Sequence, residues 1–302
     1  MSTSIPVIEL SAVTKRFGRF NAVSDVTLGV SRGEVVGFVG ANGAGKTTTI
    51  SMLLGFLNAS SGDVRLFGQM VRPANAHVSH RRIGYAAGDM ELPGQLTGAQ
   101  YLRLLRAAGS VEQERYDELI KRFSPQLGKK IQTLSRGNKQ KIALVAAFLT
   151  DPEVIILDEP TSGLDPVMQE TFLEMIRDCK RRGKTVFMSS HYLQEVMQVC
   201  DRVVLMSQGR IVEDVQTSQL LAMGGKQVSV TTGYRPTKPP KGAQEVFSEF
   251  ADDVLHLSFV FKGDPGELQR WVAAIKQLRD IEISEYNLEE AFKSLYQPEA
   301  TS

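Results

Sequence analysis

Short apolar runs alternate with longer amphipathic stretches from the N-terminus to about residue 220. Four runs rich in β-branched residues predict strands, at 35–39, 154–157, 185–189 and 203–206. Apolar residues at helical spacing predict helices after Lys46 and around 99–107, 138–149 and 167–181. Because runs such as 154–157 are apolar at every position, we expect an α/β fold whose parallel strands are covered on both faces.

The pattern changes after residue 220. Gly224, Gly225 and the proline-rich segment 234–242 predict a hinge and a loop. A strand at 254–261 and a strand at 281–284 are predicted around a helix whose apolar positions are Leu268, Trp271, Val272, Ile275 and Leu278. A closing helix is predicted from Leu288, with Asn287 as its N-cap. We therefore expect two domains, 1–224 and 225–302, the second a small α+β accessory domain.

Composition limits the class of protein. The 302 residues, 42% hydrophobic and 23% charged, are typical of a soluble globular protein and exclude a collagen, a disordered tail or a disulfide miniprotein. The formal net charge of +1 gives no overall attraction to nucleic acid or anionic lipid. Cys179 and Cys200 are the only cysteines, which is typical of a reducing compartment.

The N-terminus lacks the basic and apolar regions of a secretion signal. The longest uninterrupted apolar run, 143–149, is far shorter than the roughly 20 residues that span a bilayer. We therefore expect a chain that is neither secreted nor membrane-spanning.

The clearest motif is GANGAGKT at residues 40–47, which matches the G-x-x-x-x-G-K-[ST] pattern of phosphate-binding loops. It lies between a predicted strand and a predicted helix, the setting that such a loop requires. Backbone N–H groups would hold the phosphates, Lys46 would reach the β- and γ-phosphates, and Thr47 would bind Mg²⁺. The alternative is a glycine-rich turn with an incidental lysine. The residues expected to contact nucleotide are Asn42, Gly43, Ala44, Gly45, Lys46, Thr47 and Thr48.

A second candidate site follows the predicted strand at 154–157, where the chain continues with Asp158 and Glu159. The strand would deliver both carboxylates to the edge of the sheet at which α/β proteins bind their ligands. Asp158 would hold Mg²⁺, through a water molecule, and Glu159 would orient or deprotonate the attacking water. Without the phosphate-binding loop, such a pair would more often be part of a solvated loop.

Three more motifs are present: LSRGNKQ at 134–140, between the two sites, and TSGLDP at 161–166 and Ser-Ser-His ending at His191, after them. Together with the two sites, they resemble the ATP-binding subunits of ABC transporters over about residues 7–220. They are similar, respectively, to that family's LSGGQ element, D-loop and switch histidine. The resemblance implies a P-loop NTPase ABC cassette, a mixed sheet with helices and a short helical subdomain at about 96–145.

The resemblance also implies roles for single residues. Phe17 would stack on adenine, with a core phenylalanine as the alternative. Ser135 and the N–H of Gly137 would contact the γ-phosphate of a nucleotide held by a second copy, so that a head-to-tail dimer shares ATP. Asp165 would organise that interface. His191 would contact the γ-phosphate and sense its loss.

The sequence departs from the family pattern at three places. Gly88 stands where the family has Gln or Glu, and Asp89 is the candidate substitute for its role toward Mg²⁺. Arg136 and Asn138 replace the Gly and Gln of LSGGQ. The segment 96–130 is short, so we expect a smaller or altered surface for coupling to a membrane partner.

The resemblance implies a subunit that dimerises around ATP and Mg²⁺, hydrolyses ATP and drives a separate permease with about six membrane helices. It would lie at the cytoplasmic face of the cell membrane, as a homodimer or with another ABC subunit, with no nucleic-acid partner. LSRGNKQK and the segment 288–296 (LEEAFKSLY) are similar to the ABC-2 exporter subgroup, which favours export.

Three other functions compete with a transport ATPase. A P-loop switch or GTPase fits poorly, because Lys141 stands where a guanine-reading NKxD motif has aspartate. A soluble ABC ATPase acting on ribosomes or DNA would usually carry two cassettes or a long coiled-coil insertion. A nucleotide-binding regulator with weak hydrolysis is the third alternative, because Gly88 offers no glutamine side chain.

Overall fold

The computed structural model describes residues 6–89, 91–109, 111–223, 225–234, 237–251 and 253–285. The chain divides into two compact units, Met1–Thr217 and Ser218–Ser302, slightly before the 224/225 boundary expected from the sequence. The helix predicted from Leu288 and its cap, Asn287, lie outside the described residues. Within the described ranges, none of the helices combines the length and hydrophobicity that crossing a lipid bilayer requires.

The described residues of the first unit contain ten strands and seven α-helices; an eighth α-helix begins at the last residue of this unit, Thr217, and otherwise belongs to the second unit. The strands are β1 (Ile8–Phe17), β2 (Phe20–Val30), β3 (Val35–Val39), β4 (Ser61–Leu66), β5 (Gln69–Met70), β6 (Ile83–Ala87), β7 (Val154–Asp158), β8 (Thr185–Ser190), β9 (Arg202–Ser207) and β10 (Arg210–Gln216). The helices are α1 (Lys46–Leu53), α2 (Ala76–His80), α3 (Gly98–Ala108), α4 (Gln113–Phe123), α5 (Arg136–Leu149), α6 (Pro166–Arg181), α7 (Leu193–Met197) and α8 (Thr217–Met223).

A six-stranded sheet forms the centre of the first unit, in the order β10-β9-β3-β8-β7-β6. Its strands are parallel except β10, which pairs antiparallel with β9 at one edge. The predicted parallel sheet is thus confirmed, and the antiparallel edge makes it mixed. Because β3, β8 and β7 are neighbours, the segments that follow them meet at one edge of the sheet: the loop after Val39, His191, and Glu159.

A second sheet, which the sequence reading did not predict, has the antiparallel order β2-β1-β4-β5. Residues of β2 alternate between buried and exposed, as expected for a sheet with one face in solvent. Its buried face shares a core with α1 and the central sheet, in which Ile8, Val30, Phe38, Ile50 and Phe187 are each fully buried.

The predicted helices of the first unit are confirmed as α1, α3, α5 and α6. Ser135 caps the N-terminus of α5 and Asp165 caps that of α6, and the side chain of each accepts a hydrogen bond from a backbone N–H of the first turn. The sequence reading missed α4, a strongly polar helix that buries only Leu119 and Phe123. Three helices, α3 to α5, therefore occupy residues 98–149.

The other elements described in the second unit are β11 (Lys226–Thr232), β12 (Ala243–Ala251), β13 (Val254–Phe261), α9 (Pro265–Ala274) and β14 (Leu278–Glu285). The four strands form one antiparallel sheet, in the order β12-β13-β11-β14. The predicted α+β character is confirmed, and β13 has the predicted bounds. The predicted helix was too long, because the backbone becomes extended at Ile275 and Leu278 already belongs to β14. Trp271 packs edge-on against Phe259 in the core, with ring centroids 5.2 Å apart.

Candidate functional site

The loop between β3 and α1 has the backbone that a phosphate cradle needs. Gly43 and Gly45 have φ of +83° and +109°, which side chains disfavour. A Cβ on Gly40 would lie 2.4 Å from the carbonyl oxygen of Met206, and one on Gly45 would lie 2.5 Å from that of Ala22. These three glycines are therefore required by the path of the chain, and the interpretation as an incidental glycine-rich turn loses its support.

The ammonium group of Lys46 lies inside this loop, where the side chain is only 5% exposed. Its Nζ donates to the carbonyl oxygens of Gly40 at 2.6 Å and Ala41 at 3.3 Å. It also pairs with Oε1 of Glu159 at 3.2 Å. Because an ammonium group has three donors, an arriving phosphate must replace one of these partners. The carboxylate is the partner whose negative charge phosphate can substitute.

The carboxylate of Glu159 bridges two predicted site residues. One oxygen contacts Lys46, and the other lies 3.0 Å from Nδ1 of His191. The residue has φ of +49°, an uncommon conformation for a side chain other than glycine, and its N–H donates to Oγ of Ser189 at 3.0 Å. The loop after β7 is thus held in a local conformation that aims this carboxylate at the phosphate-binding loop.

Asp158 is 5% exposed at the end of β7, and its Oδ1 accepts a hydrogen bond from Oγ of Ser189 at 2.5 Å. Asp158 and Thr47 line one cavity of about 760 Å³. Carboxylate and hydroxyl oxygens are hard donors of the kind Mg²⁺ prefers, so these two residues fit the expected metal ion. Burial, and secondarily the charge of Asp158, raise the pKa of Tyr85 in this cavity to about 12, so its hydroxyl stays neutral.

A neighbouring cavity of about 340 Å³ contains the other side of the loop. Phe17 lines it together with the predicted residues Asn42, Gly43, Gly45, Lys46, Thr47 and Thr48. Ala44, also predicted to contact nucleotide, is buried and does not line this cavity. Phe20, which pairs with Phe17 across the β1–β2 turn, also lines this cavity. The sequence reading missed Phe20; its place one turn after Phe17 was the available signal. Two exposed aromatic rings therefore stand beside the phosphate-binding loop.

The remaining predicted residues lie at the beginning of α5. Among the described residues, neither Ser135 nor Gly137 lines the two cavities around the loop. Oγ of Ser135 accepts from the backbone N–H and the side-chain amide of Asn138. A Cβ on Gly137 would lie 2.7 Å from the carbonyl oxygen of Gly163, so the start of α5 packs tightly on the loop after β7. Arg136, between Ser135 and Gly137, does line the larger cavity, so this part of the motif approaches the cavities of its own chain while its two neighbours do not line them.

The residues around Gly88 explain its lack of a side chain. Its N–H donates to the carbonyl oxygen of Asp158 at 2.8 Å. A Cβ there would lie 2.7 Å from the carbonyl oxygen of Glu159 and 2.9 Å from Cβ of Ser162. Asp89 lines the larger cavity, but its carboxylate is paired with Arg136 at 2.8 Å. A contact between Asp89 and Mg²⁺ would therefore require the carboxylate to leave Arg136.

Comparison with known proteins agrees with this geometry. The family model described as "ABC transporter" matches residues 23–162. An uncharacterized ABC transporter ATP-binding protein of Bacillus subtilis, YhaQ, is 36% identical over 227 residues, which cover 73% of this chain and 75% of that protein. The bacitracin transport ATP-binding protein BcrA of Enterococcus faecalis is 32% identical over 302 residues, covering 96% of both chains.

Among solved structures, an ATP-binding subunit of an ABC transporter is 29% identical with a TM-score of 0.65, covering 72% of this chain and 92% of that one. The match spans about the length of the first unit, in which the loop at 40–47, the acidic end of β7 and His191 meet. The chain therefore belongs to the ATP-binding subunits of ABC transporters, and its first unit holds their ATPase domain.

Proposed function

We propose that the chain hydrolyses ATP at this site, in a dimer whose opening and closing drive a separate membrane permease. The observation that supports this most strongly is the carboxylate of Glu159, which joins Lys46 to His191 beside the cavity that holds Thr47 and Asp158. A base, a cation for phosphate and a metal-binding pair are the parts that phosphoryl transfer to water requires.

In the proposed mechanism, the phosphates of ATP bind the N–H groups of the loop and the start of α1. The γ-phosphate takes the place of Glu159 on Lys46, which neutralises the charge between the β- and γ-phosphates. The released carboxylate of Glu159 then accepts a proton from the attacking water. His191, which holds its second oxygen, keeps it directed. Mg²⁺ held by Thr47 and Asp158 would neutralise phosphate charge.

Dimerisation is proposed from the position of Ser135 and Gly137. A hydroxyl and a backbone N–H at the start of a 14-residue helix form an anion-binding group, but they do not line their own chain's nucleotide cavities. A second copy in head-to-tail arrangement would place its nucleotide against them, with Asp165 at the interface. A heterodimer with another ABC subunit would satisfy the same geometry.

The permease and its direction are proposed from the relatives. The similarity to BcrA extends over 96% of this chain and therefore includes the second unit, which the family model does not match. We take the second unit as the accessory domain of an exporter of the ABC-2 type, working with a permease of about six membrane helices. The chain would then lie at the cytoplasmic face of the membrane through that permease.

Light scattering after size exclusion tests the shared site. The Glu159→Gln variant with saturating ATP and Mg²⁺ is expected to elute as a dimer, and the same variant without nucleotide as a monomer. A variant that stays monomeric with ATP would refute the shared site.

Co-purification with the product of an adjacent gene that encodes about six apolar segments of roughly 20 residues tests the permease. The alternative is a nucleotide-binding regulator, which is favoured by the missing glutamine side chain at Gly88. Such a protein would bind ATP with negligible turnover and would not co-purify with a permease.

A further inference from the structure

Two of the departures from the family pattern meet in space. Asp89 follows Gly88 at the end of β6, and Arg136 is the first residue of α5. Nη2 of Arg136 lies 2.8 Å from Oδ1 of Asp89 and donates to Oγ of Ser162 at 2.8 Å. One guanidinium therefore joins the segment after β6, the loop after β7 and the start of α5.

The stem of Arg136 is also held in place. Its Cγ and Cδ lie 3.2 Å from the point where a Cβ on Gly163 would stand, so the side chain crosses directly over that glycine. Gly163 has φ of +79°, and its carbonyl oxygen lies close to Gly137. The guanidinium is thus positioned by the same contact that fixes the start of α5 on the loop after β7.

The other end of the pair is attached to the metal side of the ATP site. The N–H of Gly88 donates to the carbonyl oxygen of Asp158, and the space that a side chain would need at Gly88 is filled by the backbone of Glu159. The backbone next to Asp89 is therefore in direct contact with the loop that carries Asp158 and Glu159.

We propose that Asp89 and Arg136 act as a positioning pair, which holds the start of α5 against the loop after β7. Ser135 and Gly137 are thereby kept in the orientation that the nucleotide of a second copy requires. The inference rests on the proposed hydrolysis in a dimer, and it assigns to these two residues a role in turnover that their motif positions do not give them.

The exposure of the pair separates this role from a merely structural one. The side chains of Asp89 and Arg136 are 86% and 57% exposed, and an exposed ion pair contributes little to the stability of the free chain. Glu91 and Lys139 are the other charged residues that line the adjoining cavity with the pair, one of each sign. Loss of the pair should therefore lower turnover while leaving the thermal midpoint unchanged.

The test uses the full chain and four variants: Arg136→Gln, Asp89→Asn, the reversed pair Asp89→Arg with Arg136→Asp, and Arg177→Gln as control. Arg177 pairs with Glu170 at 2.7 Å on the surface of α6, away from the site. We expect each single change in the positioning pair to lower kcat about fivefold or more, because coupled residues lose their shared interaction. KM for ATP should stay within about twofold, and the control should equal the wild type.

The reversed pair should recover turnover to within about twofold of the wild type, because the attraction between the two positions is restored. Single variants with wild-type kcat, or a reversed pair no more active than the single variants, would overturn the positioning role. If the wild-type chain itself does not hydrolyse ATP, the proposed function fails and the inference fails with it. A wild type that hydrolyses ATP while the variants are unaffected overturns the inference alone.

Discussion

Replacing Glu159 by glutamine should change ATP binding and ATP turnover in opposite directions. In the structure, its carboxylate lies 3.2 Å from Nζ of Lys46 and 3.0 Å from Nδ1 of His191. The gross attraction to the ammonium is about 5 kcal/mol at an effective dielectric constant of about 20. Desolvation offsets most of it, and a charged hydrogen bond contributes a net of about 1.5–3 kcal/mol.

ATP must break this contact, so its loss should tighten ATP binding. The amide oxygen of glutamine can still accept a hydrogen bond from the ammonium but lacks the negative charge, which leaves a gain of about 1.4 kcal/mol, or about tenfold in Kd. Turnover should fall by about 10²–10⁴, because an amide cannot accept the proton from water. The variant is therefore expected to bind ATP more tightly and to hydrolyse it hardly at all.

Titration with a fluorescent ATP analogue measures the affinity, and phosphate release measures the turnover. Glu170→Gln is the matched control, because that carboxylate pairs only with Arg177 on the surface of α6 among the interactions described. ATP binding that is equal to or weaker than that of the wild type would refute the competition between Glu159 and phosphate for Lys46. Unchanged phosphate release would refute the role of Glu159 as the base.

Three further predictions concern the adenine side, the departure at Gly88 and the dependence of stability on pH. Phe17→Ala should raise the Kd for ATP by at least about fivefold, because stacking on a base contributes about 1–3 kcal/mol. An unchanged Kd in calorimetry would refute the stacking of Phe17 on adenine. Gly88→Ala should lower the thermal midpoint by several degrees, since a Cβ would lie 2.7 Å from a carbonyl oxygen and overpacking costs about 1–3 kcal/mol. Gly128→Ala, whose Cβ would meet nothing within 4 Å, is its control, and equal midpoints for the two variants would contradict the clash. Hydrogen bonds from Arg82 and a second arginine lower the pKa of Glu153 from 4.5 to about 2. Its ionised form therefore stabilises the fold above pH 4.5 by about 1 kcal/mol after solvent screening, and this contribution is lost as pH falls toward 2. Urea unfolding of the wild type and Glu153→Gln should differ at pH 7 and converge in acid; a constant difference would refute the assignment.

The central sheet and the core of the site were readable from the sequence for one physical reason. Parallel strands buried on both faces consist mainly of apolar residues, so 35–39 and 154–157 are easily recognised, and 185–189 is polar only at its end residues, Thr185 and Ser189. Each is followed directly by residues that carry chemistry. Because parallel strands end at the same edge, the meeting of Lys46, Glu159 and His191 follows from the order of the strands.

The antiparallel sheet was missed because its pattern is interrupted. Strand β1 has register shifts against both neighbours, and Ala12 and Asp25 have positive φ, so the alternation of buried and exposed positions is broken. Helix α4 was missed because few of its residues are buried. In such elements tertiary packing, rather than the local pattern, decides the structure.

Contacts between residues that lie far apart in the chain could not be predicted from the sequence either. Asp89 and Arg136 were each recognisable as a departure from the family pattern, but their contact depends on how α5 is placed against the end of β6. The same holds for the amide of Gln140, buried and bonded to the carbonyl oxygen of Pro160 at 2.7 Å. Side-chain partners of this kind require the three-dimensional structure.

Steady-state ATP hydrolysis by the purified wild type and by Lys46→Ala, in the presence of Mg²⁺, tests the ATPase assignment most directly. Thermal unfolding of both proteins serves as the control that each is folded. The wild type should release phosphate continuously, and the variant should be slower by about a hundredfold or more, because the γ-phosphate loses the cation that neutralises it. Equal phosphate release by the two folded proteins would contradict the assignment of residues 40–47 as the site of ATP hydrolysis.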